Sequence, residues 1–515
     1  MEIRTITFLF FIIAVCSLIY KIYRNYLSYW NNRKVPSVRT FQKFFDVLFL
    51  YKKCPAIAFN EIYEDRNTRN EPVVGIHIFH RPALVIKDPE LIKKVLIKDF
   101  NYFQDRFTTA DIHRDLLGSN NLFLQKNPRW KKMRTNLTPV FTSGKIKQMF
   151  SLANDIGKEL DRHILALTEN SPNESDQEVK GIAQLFTIDV IASIAFGIDA
   201  NSMSNPKADF LKHGREIFNF TRWRSFEFSS LFFLPDIVSF LNVKVFTEKS
   251  THFLKSSFRH IMQEREKSNM QRNDLIEALL QIRKQQKFEK DQNKILDETS
   301  LIAQAATFFI AGYETSSTTI SFALWQLTLN PEIQDRLRLE IKNVLEKSNG
   351  KLTYDLIHNM EYLNMVVQET LRLYPVLPFL DRIYKDPGGK DYTLEPFCKG
   401  SIKSGTPIHI PIYSIQRDEN YFENPNKFDP ERFTINNKKK IVPYSFMPFG
   451  VGPRNCIGER FGLLQTKIGL LYFLKSHKLE ISERTLKETK LNNKALLLQL
   501  KDGIYAKLVR DPLVI

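Results

Sequence analysis

Phe449-Gly450-Val451-Gly452-Pro453-Arg454-Asn455-Cys456-Ile457-Gly458 is the stretch whose reading decides the fold. Its glycines and proline permit a tight turn whose backbone N–H groups can point at the Cys456 sulfur. A helix-period run follows from Ile457 to about Lys475, so a helix is expected to open at Cys456. A helix N-terminus behind a thiol, with the positive charge of Arg454 nearby, favours the thiolate. A cysteine so placed can be a nucleophile or a metal ligand. No partner histidine lies within sequence reach, although sequence distance alone does not exclude one in space. A thiolate ligand to haem iron fits better, because that role needs one sulfur, hydrogen-bond donors and no base.

Leu301 to Leu329 is apolar almost throughout, holds no proline and stops at Pro331. Such a helix is roughly 40 Å long and, being apolar all round, is expected to be buried. Its one polar break, Ala311-Gly312-Tyr313-Glu314-Thr315-Ser316, is therefore anomalous. Thr315 can hydrogen-bond back to the carbonyl four residues earlier, opening the helix for a water or dioxygen. Gly312 removes a side chain, and Glu314 offers an acid. Further along, Glu369 and Arg372 share a helix face, and Pro430-Glu431-Arg432-Phe433 follows. Trp130 and Arg134 stand one turn apart; an indole N–H and a guanidinium suit a carboxylate, while a lone pair of this kind is equally a surface contact.

Periodicity places further helices over 144–166, 179–197, 206–220, 247–268 and 273–285, and Asp88-Pro89 starts another. Val73 to Lys87 reads as a hairpin, with His77 and His80 as sheet residues on opposite faces, not a metal pair. Strand-like segments lie at 377–384, 391–394 and 406–411, and Lys284 to Asp297 reads as a solvated loop. Ser230-Leu231-Phe232-Phe233-Leu234-Pro235 fits a core cluster or a second, interfacial membrane contact equally well. The expected class is mainly α with a minor β-sheet region.

Phe449, Gly452, Arg454, Cys456 and Gly458 fill the F-x-x-G-x-R-x-C-x-G signature of the cytochrome P-450 haem-thiolate monooxygenases, which essentially the whole chain resembles. Glu369 and Arg372 match the family's E-x-x-R, Trp130 and Arg134 its W-x-x-x-R, and Ala311 to Ser316 its A-G-x-[D/E]-T-[T/S]. Leu137 to Lys145 and Pro378 to Arg382 are most similar to insect microsomal members of the third clan.

The resemblance implies haem b between the long helix and the cysteine loop, with Cys456 as the axial iron ligand. It implies that Phe449, Arg454, Trp130, Arg134, Arg382 and Arg106 contact the haem, the arginines chiefly at its propionates. Thr315 and Glu314 take the catalytic proton-handling roles. Glu369, Arg372 and Arg432 form a buried triad holding the loop. Leu377, Phe379, Ile310, Ala311 and the segment 108–124 line a pocket for a lipophilic substrate. Electrons come from NADPH through a flavoprotein reductase docking near Lys131 and Lys132, with cytochrome b5 a second candidate donor. Two other classes compete. A reductase-independent isomerase or dehydratase commonly lacks the acid–threonine pair, and a non-catalytic haem or lipid binder has no need of it.

The 515 residues are 43% apolar, 12% aromatic and 25% charged, which excludes disordered and collagen-like classes. The formal charge of +17 suggests an anionic partner, and with no nucleic-acid motif present an anionic lipid or acidic protein is expected, not nucleic acid. Four cysteines without a C-x-x-C pair argue against a disulfide framework or structural zinc. Ile6 to Tyr20 is apolar but for Thr7 and Ser17, and the bulky Tyr20-Lys21-Ile22-Tyr23 resists cleavage, so it reads as a retained signal-anchor. Lys21, Arg24, Arg33, Lys34 and Arg39 follow it and only Arg4 precedes it, which keeps the rest in the cytosol. The expected organisation is an anchor with its flank, 1–30, and a haem domain, 31–515, on the endoplasmic reticulum membrane, joined by a hinge reduced to Pro36.

Overall fold

A computed structural model describes residues 17, 21, 24–169, 176–205, 207–268, 272, 274–288 and 297–514; the anchor run lies almost wholly outside the described residues. Helices dominate, with three small sheets among the described residues. The helices that matter to the site are α1 (Arg129–Leu137), α2 (Ser143–Glu169), α3 (Val179–Ile191), α4 (Glu298–Leu329), α5 (Glu361–Leu373) and α6 (Glu459–Ser476). The long apolar helix is α4, one turn longer than the apolar run: Asp297 caps it, accepting from the Ser300 amide at 2.8 Å. It is buried along nearly its whole length between α3 and α6. The stretch Val179–Phe196 is long and apolar enough to cross a membrane, but 72% of it is buried in this core.

The main sheet holds β1 (Val73–Ile78), β2 (Arg81–Ile86), β3 (Leu380–Ile383) and β4 (Pro407–Ile410), in the order β1-β2-β4-β3. The hairpin β1–β2 pairs Val73 with Ile86, β4 runs parallel to β2, and β3 returns antiparallel to β4 with Asp381 opposite His409. His77 lies buried in β1 against Tyr26, while His80 stands exposed in the hairpin turn.

Four sequence expectations change. Residues 24–32 are helical, and Trp30, counted above with the anchor flank, is core: its indole N–H donates to Ile76 O at 2.8 Å. Gly75 makes room for it, since a Cβ there would lie 2.4 Å from the ring. The short hinge is likewise part of the fold, with Gly75 N bonded to Pro36 O at 2.7 Å and Val38 N to Gly75 O at 3.0 Å. The aromatic stretch forms a helix, Arg222–Phe233, whose Leu231, Phe232 and Phe233 are buried against Phe44, Phe59 and Phe379. Residues 231–233 are therefore core and not a lipid contact, because larger aromatic surfaces close over them. The charged run 284–297 begins as helix, Leu275–Phe288, and residues 289–296 lie outside the described residues.

Candidate haem-thiolate site

The cysteine loop is held by its own backbone. Cys456 N donates to Phe449 O at 2.8 Å, Asn455 N to Gly452 O at 3.0 Å and Gly450 N to Met447 O at 2.9 Å. Gly450 and Gly452 adopt φ of 70° and 76°, and a Cβ on Gly452 would lie 2.1 Å from Leu96 O, so glycine is required there. The helix α6 starts at Glu459, three residues later than the sequence suggested, because Gly458 is its cap and Cys456 belongs to the turn before it. Cys456 lies deep in the protein with its side chain accessible, so it opens onto an interior cavity.

Burial pushes the thiol up to about 11, against the opposing pull of the Gly458 amide and of Arg134. The loop amide and a nearby cation favour the thiolate, as the sequence suggested, but burial outweighs them; a coordinated metal ion deprotonates a thiol outright. The cation facing the sulfur is Arg134, held by Asn455 O at 2.8 Å and Asn455 Oδ1 at 3.0 Å. Arg454 turns away, donating to Gln104 O and to Gln125 O, pairing with Asp105 at 3.5 Å and stacking its guanidinium 4.1 Å from the Trp130 ring centroid.

In α4, Thr307, Ala311 and Thr315 form a stripe at four-residue spacing that is not buried, with Ala311 and Thr315 exposed in the middle of a buried helix. Thr315 Oγ1 donates to Ala311 O at 2.7 Å, the back-bond its sequence context suggested. Gly312 has a different use from the one expected: its missing side chain admits Ile191 of α3, which a Cβ would meet at 2.7 Å. Gln465 of α6 reaches across to Gly312 O at 3.4 Å, tying the helix behind the cysteine to the polar break. Glu314 is fully buried and turned toward α3. Lys180 Nζ lies 2.7 Å from Oε1, Gln184 donates to Oε2 at 3.1 Å, and Gln499 donates to Oε1 at 3.3 Å. Lys180 is itself partly exposed, so the acid meets solvent through its ion-pair partner.

Arg106, Arg382 and Asp381 form a buried cluster. Arg106 Nη1 bonds Asp381 Oδ1 at 3.0 Å, and Arg382 Nη1 bonds Asp381 O at 2.7 Å. Burial would raise the Asp381 carboxyl, but Arg106 and the Thr108 amide hold it well below the usual range. Burial and the neighbouring Arg106 hold Arg382 well below its ordinary value. The Nε atoms of both arginines are buried without a partner. Orphaned guanidinium donors in such a place call for an anion. Together with the cavity-facing sulfur and the open stripe of α4, they fit a flat macrocycle bearing carboxylates and a metal ligated by one sulfur. Among the pocket residues expected from resemblance, Ile310 and Ala311 lie on α4, while Phe379 is fully buried against Phe59, Phe232 and Phe233 and so backs the pocket without lining it. Sequence reading missed Asp381, Lys180 and Gln465 as site residues; each acts across more than 100 positions, and no local pattern marks them.

Fold and site define a haem-thiolate protein. The cytochrome P450 family profile matches residues 39–508. The chain is 42% identical over 499 residues to "Probable cytochrome P450 6g2" of Drosophila melanogaster, spanning 95% of this chain and 96% of that one. It is 38% identical to cytochrome P450 6k1 of Blattella germanica, over 96% and 95% of the two chains, and 37% identical to cytochrome P450 9e2 of the same species, over 93% of each. The chain belongs to the cytochrome P450 family, the haem-containing monooxygenases.

Proposed function

We propose that this chain is a membrane-bound monooxygenase that inserts one oxygen atom into a lipophilic small molecule, a xenobiotic or a hormone or lipid, with electrons from NADPH through a flavoprotein reductase. Bound haem supplies the dioxygen activation, with thiolate donation from Cys456 favouring O–O cleavage. Arg106, Arg382, Arg454, Trp130 and Arg134 would hold it, with Phe449 bracing the loop. The observation that carries the reading is Thr315, an open hydroxyl in the middle of a buried helix, back-bonded to Ala311 O. With its hydrogen on Ala311 O, the Thr315 oxygen is left to accept from a water at the cavity face and hold it there, while Glu314, one residue earlier on the helix, would be the acid that meets solvent through Lys180. A peroxide-rearranging isomerase has no use for this pair.

The test is reconstitution with a reductase, NADPH and one accepted substrate. NADPH-dependent product is expected from the wild type. Thr315→Ala is expected to keep its haem and its NADPH consumption, lower the product-to-NADPH ratio by about tenfold or more, and release hydrogen peroxide instead. An unchanged ratio without extra peroxide leaves Thr315 a structural kink and removes the proton role. On the sulfur side, α1 carries Arg134 toward Cys456 and the exposed Lys131 toward solvent, which suits an acidic electron donor, the reductase or cytochrome b5.

The membrane reading rests on 1–30 and on a surface. Phe41, Phe49, Leu50 and Trp223 are exposed, linked by Phe79 and Phe226 through ring contacts of 5.6–6.0 Å, and Phe240 stands 88% exposed nearby in sequence to the same helix. Exposed aromatics of this density suit the bilayer interface. On this reading the second contact lies at Trp223 and Phe240 rather than at 231–234. A chain lacking residues 1–23, which keeps Trp30, is expected to remain partly on anionic vesicles, and Trp223→Asp with Phe240→Asp to release it. Full release by the truncation alone would remove the second contact. Protease protection of the C-terminal part inside sealed microsomes would overturn the cytosolic, endoplasmic reticulum topology.

A further inference from the structure

Two short segments are laced together around the buried guanidiniums. Asn127 N donates to Asp105 Oδ1 at 2.9 Å, Arg454 binds the carbonyls of Gln104 and Gln125, and Lys126 Nζ donates to Arg106 O and, at 2.7 Å, to Thr108 O. Lys126 therefore grips the carbonyls on both sides of Phe107, the one turn that fixes where the Arg106 side chain leaves the backbone. Arg106 lies over the Phe123 ring, 3.9 Å from its centroid, so packing and Lys126 hold it from two sides.

The charges of this cluster do not balance. Arg106, Lys126, Arg382 and Arg454 supply four positive charges, and Asp105 and Asp381 two negative ones. Lys385, the remaining cation near Asp105, is mostly exposed and screened, and Arg134, bonded to Asn455, faces the Cys456 sulfur and is set against the thiolate instead. The excess of two equals the charge of the two carboxylates of haem b. Burial pushes the Lys126 ammonium down to about 8, while Asp381 and Asp105 favour its charged form.

We propose that Lys126 is the fourth cation holding the haem carboxylates and the residue that positions Arg106 toward them. This rests on the assignment of Arg106 and Arg382 to those carboxylates. A fixed positive charge beside the haem favours the reduced iron over the oxidised one, so the charge of Lys126 also raises the reduction potential.

The test uses the ferric holoenzyme and reads two quantities, haem transfer to excess apomyoglobin and the midpoint potential of the iron. Lys126→Met is expected to lose haem roughly tenfold faster or more, as removal of a charged hydrogen-bond donor implies, and to show a more negative potential. Lys126→Gln keeps an N–H for one carbonyl without the charge. It is expected to lose haem more slowly than the methionine variant yet show the same potential shift, and it carries the test if the methionine variant does not fold. Lys126→Arg is expected to restore the potential. Thr108→Val removes a hydroxyl bond to Asp381 from the same loop with no change of charge. It is expected to hasten haem loss and leave the potential unmoved. Wild-type haem retention in both neutral Lys126 variants, or the same potential in Lys126→Gln and Thr108→Val, overturns the proposal. Arg382→Met separates the layers: if it too leaves haem retention unchanged, the carboxylate assignment itself fails, whereas faster loss from Arg382→Met alone removes only Lys126.

Discussion

Cys456→Ser is expected to abolish the red-shifted Soret band of the reduced carbon-monoxide complex and all NADPH-supported product. The effect is total because one atom is at stake. Among the described cysteines only Cys456 lies deep in the protein with its side chain accessible. Cys54 is buried in the core at the start of helix Pro55–Tyr63. Cys398 is engaged elsewhere, its Sγ 3.2 Å from Lys34 O and accepting from Gly400 N at 3.3 Å. A serine hydroxyl in place of Cys456 is a far weaker acid, and it sits where burial already disfavours ionisation of a thiol. Cys54→Ser and Cys398→Ser are therefore expected to keep the band, the former with some loss of stability from a hydroxyl placed in apolar surroundings. Loss of the band in either of these, with its retention in Cys456→Ser, would overturn the ligand assignment.

Local chemistry was legible in the chain and long-range partnership was not. The glycines of the cysteine loop announce their turn because positive φ is a property of the residue itself, and both glycines of 450–452 adopt it. The span of α4 and its polar break follow from an apolar run and its single interruption, and the Thr315 back-bond joins residues four apart. By contrast, helix Arg222–Phe233 is apolar on more than one side, which hides its period and left core and membrane readings level. Glu314 meets Lys180, Gln184 and Gln499 from two distant segments, so its ion pair could not be foreseen. Arg454 and Arg134 exchange their expected places for a similar reason. Trp130 and Asp105 draw Arg454 away from the sulfur, and the carbonyl of Asn455 draws Arg134 toward it.

Arg372→Met is expected to be the most damaging change away from the cavity. Arg372 and Glu369 are both completely buried and meet through two 2.7 Å contacts, Nε to Oε2 and Nη2 to Oε1. The remaining Arg372 donors bind Gln416 O at 2.8 Å, Pro425 O at 2.7 Å and Lys427 O at 3.2 Å. Glu369 Oε1 accepts in turn from Asp429 N at 2.8 Å and Arg432 Nε at 3.3 Å, which completes the triad. The network continues to the ligand loop. The Gln416 amide donates to Leu371 O and Arg372 O and accepts from Met447 N at 3.0 Å, and Met447 O receives Gly450 N. Removing Arg372 leaves a buried carboxylate short of its main partner and three carbonyls without a donor. Breaking a buried pair this way costs about 3–5 kcal/mol, a large part of a stability of roughly 5–15 kcal/mol. The thermal midpoint is expected to fall by about 3–5 °C, and the protein to be isolated largely without haem, since the segments at 416 and 425–427 that support the loop bearing Cys456 lose their shared donor. Glu369→Gln combined with Arg372→Met removes the stranded charge and is expected to recover part of the midpoint but not the haem, because Gln416 O, Pro425 O and Lys427 O still lack the donor that ties their segments together. A single Arg372→Met variant with an unchanged midpoint and a full Soret band would show that the loop near Cys456 stands without the triad.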